Sequence, residues 1–148
     1  MNLLADTCFW ISLCDPTAGD HSETVSMMEK LLGERSHTIL VPHPVLYETL
    51  CSKMVKKPEQ VRQLIQYFAG VKKVPDADYI ESAYKLIERQ ANMNNGTASM
   101  VDLAIMLMAE DKRNNVKGIL TRNGRDFALF CQKRQMPMIN GLAILNAI

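Results

Sequence analysis

The sequence predicts an α/β fold: a three-layer α/β/α sandwich with a mainly parallel central sheet. Short apolar runs of strand length, such as Asn2-Leu3-Leu4-Ala5 and Thr38-Ile39-Leu40-Val41, alternate along the chain with stretches of helical length. Polar residues punctuate the ends of these runs. Asp6-Thr7 follows the first, and Thr121-Arg122-Asn123 follows the run that begins at Gly118.

Each element has its own signal. Asn2-Leu3-Leu4-Ala5 reads as a buried strand that stops at Asp6-Thr7. A helix is expected from about Asp20, with Val25, Met28, Leu31 and Leu32 at helical spacing and Gly33 as its C-cap. Residues 38–41 form the second strand, ended by Pro42. Pro44 suits the first turn of a helix, where its missing N–H costs nothing, and the run to Val55 continues it until Pro58. Another helix covers 59–68 and stops at Gly70, and 71–74 is a short strand. Asp76 caps a helix reaching about Ala91, and Asn92-Met93-Asn94-Asn95-Gly96 is a loop by composition. Ser99 opens an apolar helix to about Arg113, before a turn at Asn114-Asn115. A strand at 118–121, a helix at 126–134 and a strand at 136–139 close the pattern.

Composition bounds the class. At 148 residues, one domain spanning 1–148 is expected, with no internal repeat or linker. Hydrophobic residues make up 47% and charged residues 22%, so the chain is neither disordered nor fibrous. Seventeen basic against sixteen acidic residues give a net charge of +1, so an anionic partner must be held by local clusters or a metal. Cys8, Cys14, Cys51 and Cys131 form no CxxC pair and no zinc spacing, which reads as free thiols in a reducing cytoplasm. The longest apolar runs, such as 39–41 and 105–109, are far too short to span a bilayer, so no membrane role is expected.

Ligands of open parallel sheets bind beyond the carboxyl ends of the strands, where the topology switches. Asp6-Thr7 and Thr121-Arg122-Asn123 are placed to cluster at that edge. Asp102 falls in the first turn of the helix before the Thr121 strand, where Ser99-x-x-Asp102 also matches a capping box. Glu48 lies among apolar neighbours after Pro44, and Asp126 precedes Phe127; a solvated face or an N-terminal turn is the structural alternative for each. Carboxylates gathered within ~4 Å repel by about 4 kcal/mol per pair at an effective dielectric near 20, so such a cluster needs protons or a cation. Oxygen ligands alone suit Mg²⁺ or Mn²⁺ better than zinc.

Taken in order, Asp6-Thr7, Tyr47-Glu48-Thr49-Leu50, Ser99-Met100-Val101-Asp102-Leu103-Ala104 and Thr121-Arg122-Asn123-Gly124-Arg125-Asp126-Phe127 resemble the motifs of the PIN-domain family. The resemblance covers essentially the whole chain and is strongest to VapC-type toxin ribonucleases of toxin–antitoxin pairs. It implies an endoribonuclease using Mg²⁺ or Mn²⁺ held by Asp6, Glu48, Asp102 and the Thr121 loop. It also implies an RNA substrate, a cognate antitoxin and a homodimer. The chain departs from the family's pattern at Asn123, where aspartate is frequent; Asp126 is the residue placed to replace that charge. Asn123 or Asp126 is therefore expected as a supporting catalytic ligand.

A divalent ion can neutralise a phosphodiester, lower the pKa of a bound water and stabilise the leaving oxygen, so no catalytic histidine is required. Thr7 is placed either to hydrogen-bond a ligand carboxylate or the phosphate, or to satisfy a turn. Thr121, Arg122 and Arg125 are candidate substrate contacts, the arginines through bidentate phosphate pairing, with a solvated surface position as the alternative for each arginine. His21, His37 and His43 lack ligand spacing. Phe9 and Trp10 read as core or interface, and the ten methionines as adaptable packing.

Competing α/β classes fail on specific residues. A haloacid-dehalogenase-type phosphatase needs a second acid where Cys8 stands, a receiver domain needs an acidic pair and a late lysine, and no Gly-rich phosphate loop is present. The remaining alternatives are a non-catalytic PIN-like module that binds RNA or protein, and a DNA-directed nuclease.

Overall fold

In the computed structural model, which describes residues 1–34, 36–51 and 53–148, the central sheet has five strands: β1 (Asn2–Ala5), β2 (Thr38–Pro42), β3 (Lys72–Val74), β4 (Val116–Leu120) and β5 (Met138–Ile139). All pairings are parallel and the order is β3-β2-β1-β4-β5. Helices flank the sheet as α1 (Thr7–Cys14), α2 (His21–Gly33), α3 (His43–Thr49), α4 (Pro58–Ala69), α5 (Ile80–Asn92), α6 (Met100–Glu110), α7 (Gly124–Arg134) and α8 (Leu142–Leu145). The result is the expected three-layer α/β/α sandwich.

The strands form where apolar runs must be covered on both faces, as parallel sheets require. Leu3, Leu4 and Ala5 of β1, Val41 of β2 and Ile119 and Leu120 of β4 are fully buried. Register sets Leu4 opposite both Leu40 and Ile119, and Ala5 opposite Leu120, so β1 and β4 end level with one another. Gly118 lets β4 sit close: a Cβ there would stand 3.1 Å from Leu3 Cδ2 and from Ile139 Cδ1.

The chain leaves β1 toward β2 on one side and returns through β4 on the other. This is the topological switch that opens a crevice at the strands' carboxyl ends. Asp6 stands there because its backbone is still part of the sheet, its N–H donating to Leu120 O at 2.9 Å. Thr121 is pinned similarly, its N–H donating to Ile139 O at 3.2 Å.

Several elements differ from the sequence reading. Helix α1 was not anticipated: six of its eight residues are buried, so it carries no polar stripe to reveal a helical period. Trp10 lies inside, edge-on to Phe9 and Phe68 with ring centroids 5.5 and 4.9 Å away, as the core reading expected. The helix expected at 44–55 ends at Thr49, a 3₁₀ turn at Met54–Lys56 follows, and Ser52 of that stretch lies outside the described residues. Asp76 caps a turn, its carbonyl accepting from Tyr79 and Ile80, and α5 starts only at Ile80. Helix α6 stops at Glu110, because Asp111 side-chain bonds to Arg113 turn the chain into a 3₁₀ segment and Asn115 takes φ 47°. Helix α8 was also missed.

Candidate active site

Asp6 is the centre of the edge. It is 5% exposed, and both carboxylate oxygens have donors: Thr7 N–H to Oδ1 at 2.6 Å and Thr121 Oγ1 to Oδ2 at 2.9 Å. It also caps α1, where the helix dipole favours a negative charge. Burial nevertheless pushes its pKa above the usual aspartate value. The Thr121 and Thr7 hydrogen bonds pull it down in part, and the charges of Asp102 and Glu48 push it up further. Among the described residues no cationic side chain pairs with Asp6, Glu48 or Asp102.

The other predicted acids approach from separate elements. Glu48, exposed near the end of α3, accepts the Thr7 hydroxyl. Of the two roles open to Thr7, the structure shows the bond to a site carboxylate. Asp102 arrives on the first turn of α6 through the capping box: Ser99 Oγ accepts its N–H at 3.1 Å, and its Oδ2 accepts Ser99 N–H at 2.8 Å. Asp126 on α7 accepts Asn123 Nδ2 at 2.5 Å. Asp6, Glu48 and Asp126 all act on Cys8, whose thiol is pushed up to about 12 by burial first and then by those charges. Sequence reasoning had treated Cys8 as an ordinary free thiol; its place two residues after Asp6 was the available signal.

The acids converge in charge more than in contact. Glu48, Asp102 and Asp126 are each engaged with a local donor. Among the described residues no three His, Cys, Asp or Glu side chains stand close enough together to enclose an ion.

Two residues expected as substrate contacts, Thr121 and Arg122, are engaged within the protein. Thr121 is fully buried, and its hydroxyl is spent on Asp6 and on the N–H of Asn123, 3.0 Å away. Arg122 points away from the crevice: its guanidinium donates to Asp20 Oδ2 at 2.7 Å, Glu23 Oε2 at 2.8 Å and Asn140 O at 2.6 Å. Asp20 and Glu23 are the partners that sequence reasoning missed, being 102 and 99 residues away. Arg125, by contrast, is 87% exposed beside Asp126, with Nε 3.6 Å from Oδ1.

Comparison with solved structures gives the class of fold. VapC20 of Mycobacterium tuberculosis, a sarcin–ricin loop cleaving toxin, matches with TM-score 0.64 at 19% identity over 86% of this chain and 94% of its own. VapBC2 from Rickettsia felis, bound to a DNA fragment from its promoter, matches with TM-score 0.60 at 13% identity, covering 93% and 97%. FitAcB from Neisseria gonorrhoeae matches with TM-score 0.60 at 18% identity, covering 93% and 96%. No family model matches the sequence. No curated protein matches it either. The likeness is therefore one of fold: the chain has the PIN-domain fold of VapC-type proteins.

Proposed function

We propose that the chain is a Mg²⁺- or Mn²⁺-dependent endoribonuclease hydrolysing RNA phosphodiester bonds, the toxin of a type II toxin–antitoxin pair. Asp6 carries the reading: a buried carboxylate at the topological switch, anchored by one hydroxyl and one backbone donor, with the charges of Asp102 and Glu48 acting on it and, among the described residues, no cationic side chain paired with it. A buried charge left without compensation is costly, so the arrangement calls for a proton or a cation.

The donors are of the right type. Oxygens from Asp6, Asp102 and Glu48, with Asn123 or Asp126 in support, suit a hard divalent ion. Holding one would require Glu48 and Asp102 to exchange part of their present hydrogen bonds. Such an ion, when bound, supplies neutralisation of the phosphate, an acidified water and a stabilised leaving oxygen. The chain's own residues do the positioning. Thr121 and Thr7 fix both oxygens of Asp6, the Thr7 hydroxyl steadies Glu48, and Arg125 is exposed where a phosphate of the substrate can be paired.

RNA is the proposed substrate because the sequence motifs resemble toxin ribonucleases and VapC20 is an RNA-loop-cleaving toxin. The motif resemblance implies a cognate antitoxin and a homodimer, and the likeness to VapBC2 and FitAcB supports the antitoxin. The four free cysteines accord with a cytoplasmic setting, and among the described residues no helix is long and apolar enough to cross a membrane. One observation favours the second reading, a non-catalytic binding module: Asn123 supplies no charge and donates to Asp126.

The test is to incubate the protein with total RNA, and with matched DNA, in Mg²⁺, Mn²⁺ or EDTA beside the Asp6→Asn variant. Discrete metal-dependent RNA ends absent from the variant are expected. RNA binding unchanged by EDTA with no cuts in any condition would replace the nuclease by the binding module, and cuts confined to DNA would change the substrate.

A further inference from the structure

We infer that Arg122 is a positioning residue for the acid site, a clamp that ties the loop carrying Thr121 and Asn123 to α2 and to the C-terminal segment. The inference rests on the metal-centre reading for its functional consequence. Three distant pieces of chain meet on one guanidinium. Nε and one terminal nitrogen go to Asp20 and Glu23, at and just inside the start of α2, and the other terminal nitrogen goes to Asn140 O. Glu23 extends the clamp with its second oxygen, which accepts Leu142 N–H at 3.0 Å. The Arg122 side chain is 11% exposed, and its planar fork fixes direction as well as distance.

The residues on either side of Arg122 hold the site carboxylates. Thr121 donates to Asp6 at 2.9 Å, and Asn123 donates to Asp126 at 2.5 Å. The Asn123 N–H closes the loop on Thr121 Oγ1. A shift of the backbone at Arg122 would therefore move a donor of Asp6 and a donor of Asp126 together. Burial works against the Asp20 carboxylate, yet hydrogen bonds from Arg122 and Ser12 outweigh it and hold its pKa below normal, as a settled ion pair should. Turning Arg122 toward a bound phosphate would strand Asp20 and Glu23 without their shared cation.

The experiment compares wild type with Arg122→Met, Arg122→Lys, Asp20→Asn and Glu23→Gln. It reads Mn²⁺ affinity by calorimetry, RNA affinity in EDTA against salt concentration, and amide exchange at Asn123. A positioning role predicts that Arg122→Met and Asp20→Asn both weaken Mn²⁺ binding about 10–100-fold, the scale of lost outer-shell partners. It also predicts faster exchange at Asn123 and an unchanged salt slope, with Arg122→Lys recovering part of the loss. A salt slope reduced by about one in Arg122→Met, with Mn²⁺ affinity intact, would overturn the inference and return Arg122 to phosphate contact. Wild-type Mn²⁺ affinity and wild-type exchange in Asp20→Asn would overturn it too, and that variant decides the matter should Arg122→Met not fold. If wild type itself binds no Mn²⁺, the metal-centre reading fails on its own, and Asn123 exchange alone decides whether the clamp sets the loop.

Discussion

The two ends of the central strands carry polar clusters of similar make-up and opposite electrostatics. At the amino ends, Asp111 accepts from Arg113 Nε at 2.9 Å and Nη2 at 2.7 Å, and from the Tyr79 hydroxyl at 2.8 Å. Asn114 donates to Tyr79 Oη and Met108 O, and its carbonyl takes Asn2 Nδ2. The Arg113 hydrogen bonds hold Asp111 well below the usual carboxylate range. At the carboxyl ends, Asp6 has one uncharged donor on each oxygen, and its pKa is raised, because burial dominates and the nearest charges are also negative. Uncharged donors do not offset the burial of Asp6, whereas the guanidinium of Arg113 holds Asp111 low. Among the described residues no cationic side chain pairs with Asp6, and Arg122, next to Thr121 in the chain, is spent on Asp20 and Glu23.

The largest effect that separates the two ends is expected from Asp6→Asn. Cleavage should fall by at least about 100-fold, the scale on which removing a group from a reacting centre acts. Stability in EDTA should not fall. The raised pKa means that folding disfavours charged Asp6, so its contribution to stability declines as pH rises through the folded-state value, and the amide removes that decline. Thermal unfolding of both proteins in EDTA from pH 4 to 8 checks this; a variant that melts lower at neutral pH would place Asp6 with the structural acids. Next in size, Thr121→Val should lower cleavage about 10–100-fold by freeing one oxygen of Asp6. Activity within twofold of wild type would mean that the hydroxyl does not set the carboxylate.

At the other end, Asp111→Asn should leave cleavage untouched and lower the melting temperature at pH 7. Asp111 has a depressed pKa, so its stabilisation is present above the unfolded-state value and is lost as pH falls through the folded-state one. The gap between variant and wild type should accordingly close in strong acid. A gap that persists there would mean packing, not charge, is at stake. The smallest effect belongs to Ser99→Ala, which removes the α6 cap and should cost about 1 kcal/mol by chemical denaturation. Because Asp102 is retained, cleavage should stay within a few-fold. A loss as large as that of Thr121→Val would show that the capping box also aims Asp102.

Much of this contrast was legible in the sequence, and the reasons for the gaps are physical. Strands β1, β2 and β4 announced themselves because burial on both faces leaves continuous apolar runs, and their polar stops put Asp6 and Thr121 at one edge. The Ser99–Asp102 box was readable because its partners are three residues apart. Helix α1 was not, since burial on nearly every side erased its period. The partners of Arg122 were not legible because motif position says where a residue lies along the chain and nothing of the Asp20 and Glu23 carboxylates that folding brings to it. Cys8 escaped notice for the same reason, as its acidic surroundings come from α3 and α7 as well as from Asp6.

On the proposed function, Asp6 and the acids around it at the carboxyl edge hold a divalent cation. Calorimetric titration of Mn²⁺ into wild type and Asp6→Asn tests it directly. A cation site built on Asp6 requires saturable binding to wild type that weakens at least about tenfold in the variant. Binding that is absent from wild type, or equally strong in Asp6→Asn, would contradict it.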